Sequence, residues 1–118
     1  MNIETFREVC IGQKGAEETF PFDEVTLVFK VMGKMFALLP LDEETPRVNL
    51  KVDPEWGEEL RESNHQIVGG WHMNKKHWNT VYIEDGLEDD LIIKMIQHSY
   101  DLVVSKLTKK LKQELADL

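Results

Sequence analysis

Two apolar segments joined by a very short turn constrain the fold more than any other feature of this sequence. Residues 25–31 read Val-Thr-Leu-Val-Phe-Lys-Val, and residues 34–39 return as a second segment rich in apolar side chains. β-Branched and aromatic residues favour strands, and Gly33 can adopt the positive φ angle that a tight hairpin turn demands. The pattern therefore predicts an antiparallel hairpin turning at Met32-Gly33.

Further strands are predicted on either side of a central helix. Residues 48–52 alternate apolar and polar side chains, which suits a strand with one face toward solvent. Residues 71–73 and 77–83 resemble a second hairpin turning around Asn74-Lys75-Lys76. Between these strands, Asp53-Pro54 is a strong helix start, because aspartate caps the helix and proline fits its first position. We expect that helix to run to about Ser63.

Helices are predicted at both ends of the chain. Apolar residues recur at helical spacing over residues 3–14, with Asn2 as a cap and Gly15 as the terminating residue. A longer helix is predicted to begin near Glu88. Leu111 and Leu115 extend its apolar stripe, either within the same helix or as a separate short helix beginning at Thr108. The predicted order is α-β-β-β-α-β-β-α. The fold class is α+β, a mainly antiparallel sheet with helices packed on one face and the other face free for solvent or a partner.

Length and composition predict one domain covering residues 1–118. No apolar segment approaches the roughly 20 residues that a membrane helix needs, and the first residues do not resemble a secretory signal. The single cysteine, Cys10, cannot form an internal disulfide and lies on the apolar side of the first helix. We therefore expect a cytoplasmic protein without membrane association, in which Cys10 is a buried structural thiol.

The distribution of charge is uneven. The net charge of -8 argues against a general polyanion binder, because nucleic-acid affinity comes largely from cationic groups. Yet the segment from Ser63 to Ile83 contains no aspartate or glutamate, and basic and aromatic residues alternate within it. Lysines meet phosphates and aromatic rings stack on bases, so the segment is a candidate nucleic-acid contact.

A purely structural interpretation of the same residues stands beside this one. Trp78 and Val81 point to opposite faces of one strand, so one of them is expected in the core. Trp71 could pack against the helix that begins at Pro54. Lys75-Lys76 at a hairpin tip is a common solvated turn, and the lysines from Lys106 to Lys112 complement a helix dipole, although a phosphate contact there is a second possibility.

The sequence resembles the MmcQ/YjbR family of bacterial proteins over essentially its whole length. The resemblance rests on Gly70-Trp71-His72-Met73-Asn74-Lys75-Lys76-His77-Trp78-Asn79-Thr80-Val81, on Phe20-Pro21-Phe22-Asp23 and on Leu27-Val28-Phe29-Lys30-Val31. Lys34-Met35-Phe36-Ala37, Asn49-Leu50-Lys51 and Ser99-Tyr100-Asp101-Leu102-Val103 also fit. It implies an antiparallel sheet backed by helices, described as a double wing, and a DNA-binding function assigned largely by analogy of fold.

The leading hypothesis is weak, largely non-specific binding of double-stranded DNA. Carried over from the resemblance, the contact residues would include Lys30, Lys34, Lys51, Lys75, Lys76, Trp78 and Asn79. The basic and aromatic segment adds Trp71, His72, Asn74 and His77.

Two alternatives remain open. One is a protein-interaction module or dimer that buries the free sheet face, which suits the acidic total. The other is a small-molecule binder using His72, His77 and Trp78. We expect no enzyme activity, because no catalytic set of residues assembles. We also expect no cofactor and no metal, since His65, His72 and His77 lack the spacing typical of a zinc site.

Overall fold

The computed structural model describes residues 1–118 and has four helices and six strands. The helices are α1 (Ile3–Ile11), α2 (Pro54–Ser63), α3 (Asp89–Ser105) and α4 (Lys109–Ala116). The strands are β1 (Ala16–Thr19), β2 (Thr26–Val31), β3 (Lys34–Pro40), β4 (Val48–Lys51), β5 (Ile67–Gly69) and β6 (Trp78–Val81). The α+β class is confirmed, and the order is α-β-β-β-β-α-β-β-α-α.

All strands form one antiparallel sheet in the order β1-β2-β3-β4-β6-β5. The predicted turn between β2 and β3 is confirmed, with positive φ angles at Met32 and Gly33. A register shift follows Phe29, so that Phe36 is an extra residue in β3. Such a bulge leaves a backbone group without a strand partner, and the Ser99 hydroxyl of α3 donates to the Phe36 carbonyl oxygen at 2.5 Å.

One face of the sheet carries the main core. A cluster of 23 buried residues includes side chains from all four helices, for example Phe6 of α1, Leu60 of α2, Ile96 of α3 and Leu115 of α4. Burial of this apolar surface is the dominant stabilising term of the fold. The predicted helical layer on one face is therefore confirmed.

The helix boundaries follow local capping chemistry. The Asp53 carboxylate accepts from the backbone N–H groups of Glu55 and Trp56, as expected for a cap. Asn2 caps α1 through Thr5 N–H, and Thr108 caps α4 through Leu111 N–H. The predicted end of α1 at Gly15 was wrong: α1 ends at Ile11, and Gly15, with φ of 72°, instead leads the chain into β1.

Two strand predictions were also wrong. β1 was missed, because Ala-Glu-Glu-Thr lacks apolar alternation. The second hairpin pairs β5 with β6 rather than residues 71–73 with 77–83. Residues 71–73 form a turn instead, because the backbone of Trp71 bonds to side chains of the sheet.

No helix combines the length and the apolar character that a membrane crossing requires.

Candidate nucleic-acid interface

The loop of residues 70–77 folds over the sheet face that lies away from the helices. Thr80 Oγ1 accepts from Trp71 N–H at 2.8 Å, and the Asn49 side-chain amide donates to the Trp71 carbonyl oxygen at 3.2 Å. The Thr80 hydroxyl also donates to Asn49 Oδ1 at 2.5 Å. Met73 packs against a second, small apolar cluster of Val28, Leu38 and Trp78 on this face. The predicted free face is therefore partly covered by the loop.

Trp71 stands at the surface rather than against α2. Its side chain is 45% exposed, and the guanidinium carbon of Arg47 lies 4.4 Å from its ring centroid. Arg47 Nη2 in turn contacts Glu43 Oε1 at 2.9 Å. A cation stacked on tryptophan contributes about 0.5–1 kcal/mol at an exposed site, so Arg47 and the backbone bonds together fix the ring.

Trp78 and Asn79 are both buried, with exposed fractions of 8% and 2%. Asn79 Oδ1 accepts from Arg61 Nη1 at 2.7 Å, and its amide nitrogen donates to the Gly57 carbonyl oxygen at 3.4 Å. These contacts join β6 to α2. Val81 is buried on the opposite face from Trp78, so both residues, not only one, pack inside the protein.

The polar residues of the loop differ in their hydrogen bonding and in their exposure to solvent. Lys75 Nζ donates to the Gly70 carbonyl oxygen at 3.0 Å, so its ammonium is partly engaged within the loop. Asn74 Oδ1 accepts from the backbone N–H of Lys76 at 2.9 Å, and the Lys76 side chain is exposed. His72 is exposed with φ of 56°, while His77 is half-buried. No group of three His, Cys, Asp or Glu side chains could hold a metal ion.

Three lysines converge at one end of the sheet. Lys34 begins β3, Lys51 ends β4 and Lys106 follows α3, and the antiparallel order brings these points together. They line a cavity of about 220 Å³ with Met35, Trp78, Val103 and Leu107, and no carboxylate is among its lining residues. We call this site the lysine cleft.

The lysine cleft brings positively charged side chains close together. Partial burial lowers the pKa of Lys51, and the nearby charge of Lys106 lowers it further. Both effects disfavour the ammonium form. An anion bound between these lysines would relieve the repulsion.

None of the other predicted basic residues lines the lysine cleft: Lys75 and His72 line a separate depression with Trp71, while Lys30 and Lys76 lie on or next to the strands that form the cleft. Lys30 is on the same sheet face, where it pairs across strands with Met35 on β3 and with Glu17 on β1. Lys76 precedes His77, whose carbonyl oxygen accepts from Val52 N–H at the end of β4. The sequence favours a helix-dipole role for Lys106, with a phosphate contact as the second possibility, and only the tertiary structure brings it beside Lys34 and Lys51.

The opposite end of the same face is different in charge. A cavity of about 440 Å³ lies between the turn at residues 20–25 and the loop of residues 70–77. Its lining includes Phe22 and Trp71 as well as Asp23, Asp42 and Glu43, and no lysine. We call this site the Trp71 cleft. The sheet therefore has a basic end, lined partly by α3, and an acidic, aromatic end.

Cys10 is fully buried in the core, and burial raises the pKa of its thiol well above the ordinary range. A thiol in this setting is not a nucleophile at neutral pH, which agrees with the structural role predicted for it.

Known proteins resemble this chain in both sequence and structure. The YjbR family model matches residues 12–102. The Escherichia coli K12 protein YjbR, described as uncharacterised, is 32% identical over the full length of both chains. The E. coli O157:H7 protein YbdF, also described as uncharacterised, is 35% identical over 91% of this chain and 88% of its own.

A crystal structure from Deinococcus radiodurans with a DUF419 domain shares 42% identity and superposes with a TM-score of 0.90, covering 98% of this chain and 88% of that one. A Pseudomonas syringae structure shares 28% identity at a TM-score of 0.75, covering 86% of this chain and 98% of that one. The family match spans most of the residues, and full-length relatives exceed 30% identity. The chain belongs to the YjbR family.

Proposed function

We propose that this protein binds double-stranded DNA weakly and without sequence specificity, through the lysine cleft. The observation that carries the proposal is the convergence of Lys34, Lys51 and Lys106 around a cavity without carboxylates. Ammonium groups displace the counterions that surround phosphates, and this release drives non-specific association. Local charge, not the net charge of -8, decides such a contact.

The proposed contact surface contains fewer residues than the sequence suggested. Lys76 and Lys30 extend the lysine cleft along the loop and the sheet. Trp78 and Asn79 support the surface from inside, because both are buried. The carboxylates of the Trp71 cleft repel phosphate, so the duplex is confined to the basic end of the face.

Anisotropy of a labelled duplex, titrated with protein at several salt concentrations, tests the proposal. Phosphate contacts from four of these five lysines give a slope of about -3 to -4 for the logarithm of affinity against the logarithm of salt. Non-specific dissociation constants of about 10⁻⁴ to 10⁻⁶ M are typical at physiological salt. We expect saturable binding at low salt that weakens along this slope.

Two lysines of the same helical segment provide a matched pair of variants. Lys106→Gln removes one cation from the lysine cleft, and we expect the magnitude of the slope to fall by about 1. Lys94→Gln removes the same charge from an exposed site over the Trp56 ring, and we expect no change. Equal binding by the parent and by Lys51→Gln/Lys106→Gln would show that the lysine cleft is not the contact.

Absence of binding at low salt would remove DNA as the ligand. Light scattering of the same samples would then test self-association through the sheet face, since an apolar interface persists at high salt whereas phosphate contacts do not.

A further inference from the structure

The Trp71 cleft has the dimensions of a small-molecule site. Its volume of about 440 Å³ falls within the range of roughly 300–1,000 Å³ that is typical of ligand pockets. It lies at the end of the sheet opposite the lysine cleft, where β3 ends and β4 begins. Leu38 and Met73 lie among its lining, Phe22 stands on one side, and Trp71 stands on the other.

Both walls of the cleft are fixed by hydrogen bonds. On one side the Asp23 carboxylate accepts from the N–H groups of Val25 and Thr26 at 2.9 and 2.6 Å, and from the Thr26 hydroxyl at 3.1 Å. On the other side Asn49 and Thr80 hold the backbone of Trp71. A cleft with walls held in this way needs little reorganisation on binding.

Large apolar side chains are exposed around this cleft. Phe22 is 64% exposed, Trp71 45% and Val25 39%. Scattered exposed apolar residues need no explanation, but several around one concave site mark a place where an apolar ligand or partner is bound. A ligand of this cleft would therefore carry an aromatic or branched apolar body.

The polar groups determine the sign of the charge on the ligand. Asp23, Asp42 and Glu43 line the cleft, and Arg47 is the only lysine or arginine among them. Arg47 is paired with Glu43 at 2.9 Å and stacked on Trp71, so two carboxylates have no cationic partner within the cleft. Hydrogen bonds from the backbone of Val25 and Thr26 lower the pKa of Asp23 and keep it ionised.

We propose that the Trp71 cleft binds a small organic cation, an amine or guanidinium on an aromatic or branched apolar body. The apolar body lies against Phe22 and Trp71, and the charged group faces Asp23 and Asp42, the carboxylates that Arg47 leaves unpaired. Arg47 shows within the chain itself that a planar cation fits between the Glu43 carboxylate and the Trp71 ring. This site shares no lysine with the proposed DNA contact, so either proposal can fail without the other.

Three probes with nearly the same body and different charge test the proposal. Phenethylamine is a cation, phenethyl alcohol is neutral and hydrocinnamate is an anion. Each is titrated into labelled protein while amide and indole N–H signals are followed by NMR. We expect saturable shifts at Trp71 and Met73 with phenethylamine, and affinity about two- to fivefold above that of the alcohol for each surface ion pair formed. Hydrocinnamate should bind most weakly.

Variants that remove carboxylates from the Trp71 cleft test the predicted preference for a cation directly. Asp42→Asn/Glu43→Gln removes two carboxylates and releases Arg47, so we expect the preference to change from the amine toward hydrocinnamate. Glu58→Gln/Glu59→Gln makes the same charge change on the exposed surface of α2 and should leave the preference unaltered. Trp71→Ala should abolish the saturable shifts of every probe.

A reversal of preference cannot arise from loss of structure, and the spectra of each variant report its fold directly. The proposal is overturned if hydrocinnamate binds the parent as well as the amine does. Shifts that map outside the Trp71 cleft, or an unaltered preference in Asp42→Asn/Glu43→Gln, would also overturn it.

Discussion

Single polar side chains hold distant parts of this small domain together. Ser99 is fully buried on α3, and its hydroxyl donates to the Phe36 carbonyl oxygen of β3 and accepts from Lys51 N–H of β4 at 2.9 Å. It thereby satisfies the backbone at the β3 bulge and positions the strand that carries Lys51. One hydroxyl links the core to the proposed DNA contact.

Replacing this hydroxyl should be costly. Ser99→Ala leaves a buried carbonyl and a partly buried N–H without their side-chain partner. A buried group left unpaired costs about 1–3 kcal/mol. We expect a lower urea midpoint with an unchanged slope. Ser105→Ala on the exposed end of α3 is the control and should change stability by less than about 0.5 kcal/mol. Equal midpoints for the two variants would contradict the role given to Ser99.

His98 makes stability depend on pH. Its Nε2 accepts from Asp53 N–H at 3.0 Å, which requires the neutral ring, and its ring contacts Trp56. Burial lowers the pKa of His98 below the ordinary value of 6.5, although the nearby carboxylates of Asp53 and Asp101 oppose this shift. The unfolded chain therefore binds a proton at higher pH than the folded chain does.

The stabilisation is complete above about pH 6.5 and is lost as the pH falls from there through the folded-state pKa of His98. His98→Gln should flatten this part of the curve of unfolding free energy against pH. His65→Gln serves as the comparison, because the His65 side chain is 79% exposed. If the parent and His98→Gln lost stability in parallel over this range, His98 would not be the responsible group.

At the scale of elements, the loop of residues 70–77 takes its position from the sheet. Thr80 is the central contact, because its hydroxyl accepts from Trp71 N–H and donates to Asn49. Thr80→Val keeps the shape of the side chain and removes both bonds. We expect faster hydrogen exchange at the Trp71 amide, with exchange in α3 little changed. Thr80→Ser retains the hydroxyl and should retain the protection; loss of protection in both variants would indicate a packing effect instead.

The same elements show what the sequence could predict. β2, β3, β4, α2 and the start of α3 have local signals, such as the Asp53 cap and the positive φ angle allowed at Gly33. β1 has no such local signal. It forms because its backbone pairs with β2 and because Glu18 makes an ion pair with Arg7. The lysine cleft also depends on tertiary structure, because Lys34, Lys51 and Lys106 are distant in sequence and meet only where the strand ends and α3 converge.

At the scale of the whole molecule, the two faces of the sheet have different roles. The face toward the helices carries the main core, to which every helix contributes. The other face carries only a small apolar cluster and has the acidic, aromatic Trp71 cleft at one end. The lysine cleft opens at the opposite end of the sheet, where residues at the end of α3 complete its lining. This division explains how a chain with a net charge of -8 can present a cationic site, since its carboxylates lie elsewhere on the surface.

A core shared by all helices predicts that the domain unfolds as one unit, as most single domains of this size do. Trp78 packs in the small cluster on the loop face, so its fluorescence reports that face, while far-ultraviolet circular dichroism reports the helices on the other. Trp56→Phe/Trp71→Phe leaves Trp78 as the single tryptophan. We expect the two urea transitions of this variant to coincide. A fluorescence transition at lower urea would mean that the loop face opens separately, and that the Trp71 cleft lies on a less stable part of the molecule.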